Sequence, residues 1–71
     1  MYKYALYLQL NNGQEGYYHG ECEDGTPKIY RDGAYGFPSV NAAKAKAVRM
    51  KKYLEERFSK PRIVYWEVVQ L

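Results

Sequence analysis

Cysteine and histidine are nearly absent from this chain of 71 residues, which contains Cys22, His19 and no other residue of either type. A single cysteine excludes an intrachain disulfide. One cysteine and one histidine also fall short of the four ligands that a structural zinc site requires. A domain of this size without either device depends on the packing of one small core. The nine tyrosines and one tryptophan are suited to that purpose, because each aromatic side chain buries a large area.

Long apolar runs are missing as well. No segment approaches the length of about 20 apolar residues that a membrane-spanning helix needs. Residues 1–10 lack the charged region, apolar block and cleavage site of a signal peptide. We therefore expect a cytoplasmic protein without a membrane partner, in a compartment where an unpaired cysteine is ordinary. The length indicates a single domain that spans residues 1–71.

The clearest periodicity of the chain lies in residues 39–60. Apolar residues recur there at the three- and four-residue spacing of a helix with one buried face. They are Val40, Ala43, Ala47, Met50, Leu54 and Phe58. Ser39 is a favourable N-cap, and Pro61 cannot continue a helix. The sequence therefore predicts an amphipathic helix that begins at Ser39 and ends near Lys60.

Four other segments have the alternation or composition of strands, and they lie at residues 2–10, 17–22, 27–31 and 62–70. Asn-Gly and Asp-Gly pairs follow the first two segments, as is typical of tight turns between antiparallel strands. The order β-β-β-α-β predicts an α+β fold, a four-stranded and mostly antiparallel sheet with the helix packed on one face. We expect the first three strands to form a meander and the last to return beside the first, in the spatial order 3-2-1-4.

Individual residues refine this prediction. Gly20 indicates a bulge or a close approach of another backbone in the second strand, and Pro27 indicates that the third is an edge strand. In the last strand, alternation places Ile63 on the same face as Tyr65. Both faces of that strand are largely apolar, which favours a central strand or one that a partner covers.

The helix covers one face of the predicted sheet, and nothing else in the chain is left to cover the other. Alternation assigns to this uncovered face Lys3, Tyr7, Gln9, Tyr17, His19, Tyr65, Glu67 and Val69. It also places Glu21 on the same side of its strand as Tyr17 and His19. A contiguous exposed patch of this kind usually marks an interface, and tyrosine is well suited to protein contacts. We therefore predict a protein partner, or a second copy of the chain in a homodimer. The predicted binding residues are Tyr7, Tyr17, His19, Tyr65 and Tyr35.

Two other interpretations stay open. Residues 1–37 carry three basic and five acidic residues, whereas residues 38–71 carry eight and three. Tyrosine stacking and a basic helix together suit a nucleic acid or a nucleotide, which would contact Lys44, Arg49, Lys52 and Arg57. These cations form no single stripe, and the sequence motif of RNA-recognition domains is missing. In the remaining interpretation the cations are simply solvated, the tyrosines fill a core, and there is no specific partner.

No catalytic constellation can be assembled from the sequence. His19 and Cys22 lie three residues apart on a predicted strand, so their side chains point to opposite faces and do not favour a dyad. The acidic residues at 21–24 lie beside a turn, where acidic residues are ordinary. Residues 33–36 precede a helix but lack the Gly-Lys-Ser/Thr ending of a phosphate-binding loop. We therefore expect a protein without catalytic activity, metal or cofactor.

A pattern in the middle of the chain carries a resemblance. It consists of G-Y-Y at 16–18, G-T-P at 25–27 and A-Y-G-F-P-S at 34–39, followed by the Ala- and Lys-rich helix and a closing strand. Over most of residues 16–69 the chain resembles short uncharacterised proteins of bacteriophages and Gram-positive gut bacteria. The resemblance implies a small α+β fold and a mobile-element origin, and it assigns no site.

Phage proteins of this size are often inhibitors of host defence, such as anti-CRISPR proteins, or accessory regulators, and the analogy extends that expectation to this chain. The formal net charge of +3 argues against DNA mimicry, since mimics of DNA are acidic. Direct blocking of a protein and sequestration of a ligand both remain compatible with it.

Overall fold

A computed structural model describes residues 3–32, 35–57 and 60–71 of the chain. Its elements follow one another as β1 (Tyr4–Leu10), β2 (Glu15–Glu21), β3 (Pro27–Tyr30), α1 (Val40–Glu55) and β4 (Ile63–Gln70). All neighbouring strands pair antiparallel, in the order β3-β2-β1-β4. The predicted α+β fold and strand order are therefore confirmed.

The core lies between β1 and one face of α1. Leu6, Leu8 and Leu10 of β1 are almost fully buried there. From the helix, the same cluster contains Ala43, Ala47, Met50 and Leu54. Because successive residues of a strand point to opposite faces, Tyr7 and Gln9 lie on the face of the sheet that α1 does not cover.

The helix begins where the sequence predicts. The side chain of Ser39 accepts a hydrogen bond from the N–H of Ala42 at 3.1 Å, as an N-cap does. Val40 is nevertheless 42% exposed and is not part of the buried stripe. Its neighbours Ser39 and Asn41 are exposed too, so the buried stripe of the helix begins at Ala43.

The helix ends at Glu55, earlier than the predicted position near Lys60. The guanidinium of Arg57 donates a hydrogen bond to the carbonyl oxygen of Tyr53 at 2.8 Å. It thereby supplies a partner to one of the carbonyls that a helix end leaves free. Phe58, the last member of the predicted apolar stripe, lies outside the described residues. No helix in the described part of the chain is both long and apolar enough to cross a membrane.

The alternation expected at the start of β4 is wrong. The register of β1 against β4 shifts between Gln9 and Leu10, which inserts an extra residue and reverses the alternation at that end of β4. Ile63 therefore turns into the core and is 2% exposed, whereas Val64 is 60% exposed. In addition, β4 is an edge strand of the described sheet, as the order 3-2-1-4 predicts, so of the two explanations for its apolar faces the central position is excluded and cover by a partner stays a prediction.

The bulge predicted at Gly20 is present. The register of β2 against β3 shifts between Tyr18 and Glu21, and Gly20 has a φ of 111°. Because the bulge changes the alternation, Glu21 faces α1 and not the uncovered face. Its carboxylate pairs there with the ammonium group of Lys46 at 2.6 Å.

Candidate functional site

Three tyrosines from three adjacent strands meet on the uncovered face of the sheet. Tyr7 of β1 lies directly opposite Tyr17 of β2, with ring centroids 5.7 Å apart. Tyr65 of β4 lies on the other side of Tyr7, at 6.5 Å. Both pairs meet edge to face, the arrangement that aromatic quadrupoles favour. We call these three residues the tyrosine cluster. The sheet brings them together although Tyr7 and Tyr65 lie 58 residues apart along the chain.

Two carboxylates flank the tyrosine cluster. The hydroxyl of Tyr7 donates a hydrogen bond to Glu15, and the hydroxyl of Tyr65 donates one to Glu67 at 3.1 Å. These hydrogen bonds raise the pKa of Tyr7 and of Tyr65, because ionising either phenol would break the bond and place two negative charges together. The phenols stay protonated at neutral pH, so the charged groups beside the tyrosine cluster are the carboxylates of Glu15 and Glu67 and the guanidinium of Arg31.

A shallow pocket adjoins the tyrosine cluster. It has a volume of about 250 Å³ and is lined by Tyr7, Glu15, Gly16, Tyr17 and Arg31. That volume lies below the range of roughly 300–1,000 Å³ in which small-molecule sites usually fall. The pocket therefore suits a single side chain of a partner better than an enclosed small molecule.

His19 lies beside the cluster, against a tyrosine that the sequence did not single out. Its ring meets Tyr30 of β3 edge to face, with centroids 4.9 Å apart. Tyr30 is directly opposite Tyr17 in the register and is 55% exposed, so it extends the aromatic surface toward β3. The Nε2 atom of His19 is buried without a hydrogen-bond partner among the described residues. A four-residue strand was too short for alternation alone to assign Tyr30 to a face.

Tyr35 lies on the other side of the sheet. Its ring meets those of Tyr18 and Phe37 at 5.7 and 5.3 Å, and both of these residues are buried in the core beneath α1. The N–H of Tyr35 also donates to the carbonyl oxygen of Tyr18 at 2.9 Å. Tyr35 is therefore separated from the tyrosine cluster by the sheet.

The four helix cations do not form one surface. Lys44, Arg49 and Lys52 are exposed on α1, but Lys44 and Arg49 are about 140° apart around a helix of 3.6 residues per turn. Arg57 lies over the ring of Tyr53, with its guanidinium carbon 3.4 Å from the ring centroid. Because α1 covers the face opposite the tyrosine cluster, the helix cations and the cluster lie on opposite sides of the sheet.

A second depression lies between α1 and the turn that joins β2 to β3. It has a volume of about 320 Å³, and its lining includes Cys22, Lys46 and Arg49. Cys22 is exposed there, while His19 is on the opposite face, so the two side chains cannot act as a nucleophile and its base. The described residues contain no group of three or more His, Cys, Asp or Glu that could hold a metal ion.

Comparisons with protein-family models, with curated proteins and with solved structures find nothing that matches the chain. The geometry and charge of the uncovered face are therefore the basis on which a function is assigned.

Proposed function

We propose that this protein is a non-enzymatic protein-binding module that binds its partner through the uncovered face of the sheet, with the tyrosine cluster at the centre. The observation that carries the proposal is the meeting of Tyr7, Tyr17 and Tyr65 on the face opposite α1. Tyrosine combines a flat apolar ring with a polar tip and is enriched at interfaces. Neighbouring rings and glutamates already hold these side chains in place, which reduces the entropy lost on binding.

The charge of this face indicates the chemistry of the partner. Glu15 and Glu67 place two carboxylates beside the tyrosine rings. An arginine side chain complements both features, because its guanidinium stacks on aromatic rings and donates paired hydrogen bonds to carboxylates. A nucleic acid would instead bring its phosphates toward the same carboxylates. We therefore expect a protein partner with arginine at its contact surface.

The resemblance to short phage proteins extends the proposal to a biological role. An inhibitor or adaptor of a mobile element acts by occupying or bridging a surface of its target, and it needs no catalytic residue to do so. A cytoplasmic inhibitor of a host protein, of the kind that includes anti-CRISPR proteins, fits both the resemblance and the tyrosine cluster.

Nuclear magnetic resonance titrations with defined probes test this proposal. The probes are a nonapeptide of arginine, matched nonapeptides of lysine and glutamate, and a single-stranded oligothymidine. We expect the arginine peptide to shift the resonances of Tyr7, Tyr17 and Tyr65, the lysine peptide to shift them less, and the glutamate peptide to leave them unchanged. Shifts that oligothymidine induces on α1, or an uncovered face that responds to none of the peptides, would contradict the proposal.

A pair of matched variants separates specific contact from general attraction between charges. Glu67→Gln removes one carboxylate beside the tyrosine cluster, and Glu56→Gln makes the same change on an exposed position just beyond α1. Glu67→Gln removes a charged hydrogen-bond partner and should lower the affinity for the arginine peptide about tenfold. Glu56→Gln should leave its affinity unchanged. Equal effects of the two substitutions would show that only net charge matters and would count against the proposed face.

A further inference from the structure

The two edges of the sheet differ in how they are protected. The edge formed by β3 is four residues long, begins at Pro27 and carries Lys28. Short length, proline and lysine are the devices by which proteins prevent the pairing of edge strands. The edge formed by β4 is eight residues long, has no proline, and contains Glu67 as its one charged residue. The unprotected edge is therefore that of β4.

Hydrogen bonding along β4 identifies which backbone groups this edge presents. The N–H of Leu71 donates to the carbonyl oxygen of Lys3 at 2.7 Å, so the odd-numbered residues at this end of β4 bond to β1. In an antiparallel sheet the residues between them direct their N–H and C=O groups the opposite way. Trp66, Val68 and Gln70 therefore direct theirs toward the free edge.

We propose that β4 pairs antiparallel with β4 of a second copy of this chain, in a register centred on Val68. Val68 then lies opposite its own copy, and Trp66 lies opposite Gln70 of the second copy. All three are residues whose backbone groups point to the free edge, so these opposed pairs exchange N–H···O=C bonds. The register uses only the part of β4 beyond the bulge at Val64.

Side chains favour this register over the one centred on Glu67. It places Leu71, which is 64% exposed, opposite Tyr65 of the second copy, which is 46% exposed, on the same face of the sheet. Glu67 lies opposite Val69. A register centred on Glu67 would instead place the two carboxylates opposite each other, and like charges directly across strands destabilise pairing. Self-pairing thus covers exposed apolar side chains without opposing charges.

The resulting dimer has a defined architecture. A two-fold axis perpendicular to the sheet relates antiparallel identical strands, so both helices lie on one side and both tyrosine clusters on the other. Edge pairing leaves Tyr7 and Tyr17 uncovered. The dimer and the proposed function are therefore separate statements, and the failure of one leaves the other intact.

Sedimentation equilibrium of the full chain, from micromolar to millimolar concentration, tests the pairing. The wild-type protein should approach twice the chain mass of 8.3 kDa. Val68→Pro removes an N–H that points away from β1 and so should weaken the dimer by at least about tenfold, since it deletes hydrogen bonds at the centre of the interface. Val68→Ala trims the same side chain but keeps the N–H, and it should still dimerise.

A second measurement keeps the proposal testable if Val68→Pro unfolds the chain. Amide hydrogen exchange of wild-type Trp66, Val68 and Gln70 should slow as the concentration rises, whereas the amide of Ile29, which points to the free edge of β3, should not change. A wild-type protein that stays monomeric at millimolar concentration overturns the proposal. A dimer whose protected amides lie elsewhere than β4 overturns it too.

Discussion

Tyr53 of α1 donates a hydrogen bond from its hydroxyl to the backbone carbonyl oxygen of Asp24, 29 residues earlier in the chain, at 3.0 Å. Its ring lies so close to Gly25 that a Cβ there would come within 2.6 Å of the ring. The guanidinium of Arg57 lies over the same ring. These contacts connect the end of α1 to the turn between β2 and β3.

Removal of the Tyr53 hydroxyl tests the strength of that connection. Tyr53→Phe keeps the ring and its contacts but deletes the hydrogen bond to Asp24, so it should lower the free energy of unfolding by about 0.5–1.5 kcal/mol. Urea denaturation followed by the fluorescence of Trp66 measures the change. Tyr30→Phe, at an exposed tyrosine of β3, is the control and should have a smaller effect. Equal effects would show that the hydroxyl contact contributes little.

The stability of the protein should depend on pH through Asp24. Its carboxylate accepts hydrogen bonds from the ammonium group of Lys60 at 2.7 Å and from the N–H of Thr26 at 3.0 Å. The contact with Lys60, followed by that with Thr26, lowers the pKa of Asp24 well below its ordinary value of 3.8. A group whose pKa is lower in the folded protein stabilises it above the unfolded pKa, and this contribution is lost as the pH falls through the folded pKa.

We therefore expect the free energy of unfolding to decrease as the pH falls below about 4, and to decrease less steeply in Asp24→Asn. Urea denaturation at a series of pH values gives both slopes. Glu23→Gln, which neutralises the exposed carboxylate just before Asp24, is the matched control. Its free energy of unfolding should fall with pH nearly as steeply as that of the wild type. A wild-type slope in Asp24→Asn would mean that the contact with Lys60 is too weakly formed to matter.

Substitution by alanine should destabilise the protein to different extents at the two glycines of β2. Both have positive φ, 152° at Gly16 and 111° at Gly20, so alanine is strained at either by about 1–3 kcal/mol. A Cβ at Gly16 would also lie 2.6 Å from the carbonyl oxygen of Tyr30, whereas one at Gly20 would meet nothing within 4 Å. Gly16→Ala should therefore destabilise the protein more, because β3 must move as well. The midpoints of urea denaturation of the two variants measure this difference. Equal midpoints would contradict the close approach of Tyr30 to Gly16.

The helix should tolerate a larger side chain on one face only. Ala47 is 0% exposed against the sheet, while Ala45 is exposed on the far side. Ala47→Leu overfills the core and should cost about 1–3 kcal/mol. Ala45→Leu should change the stability by less than about 0.5 kcal/mol, since it touches no core residue. Thermal unfolding of both variants measures the difference, and a stable Ala47→Leu would reveal unfilled space beneath α1.

Prediction from sequence succeeded where one short-range pattern decided the outcome. Ser39 was identifiable as an N-cap because capping depends on one side chain and the next few residues. Gly20 was identifiable as a bulge or a close backbone approach, because a glycine inside a strand indicates one or the other, and the structure shows the bulge. For the candidate site, alternation was enough to assign Tyr7 to the uncovered face, because β1 is regular on either side of it.

Prediction failed where the face on which a side chain lies depends on how two strands align. A single extra residue moved Ile63 into the core and Val64 out of it, and another turned Glu21 toward α1. Neither effect can be read from β4 or β2 alone, since a bulge is a property of the pair. Tyr35 was grouped with the cluster because nothing local shows on which side of the sheet a connection passes.

The sequence by itself determined the element types, the amphipathic helix and the existence of one face of the sheet that the helix leaves open, because these follow from local periodicity and from the number of elements. Only the tertiary structure decided which side chains meet on that face. Tyr7, Tyr17 and Tyr65 come together, with Glu15 and Glu67 beside them, because the registers of three strands align them. Register is set by contacts between residues far apart in the chain, and no pattern within a single segment contains it.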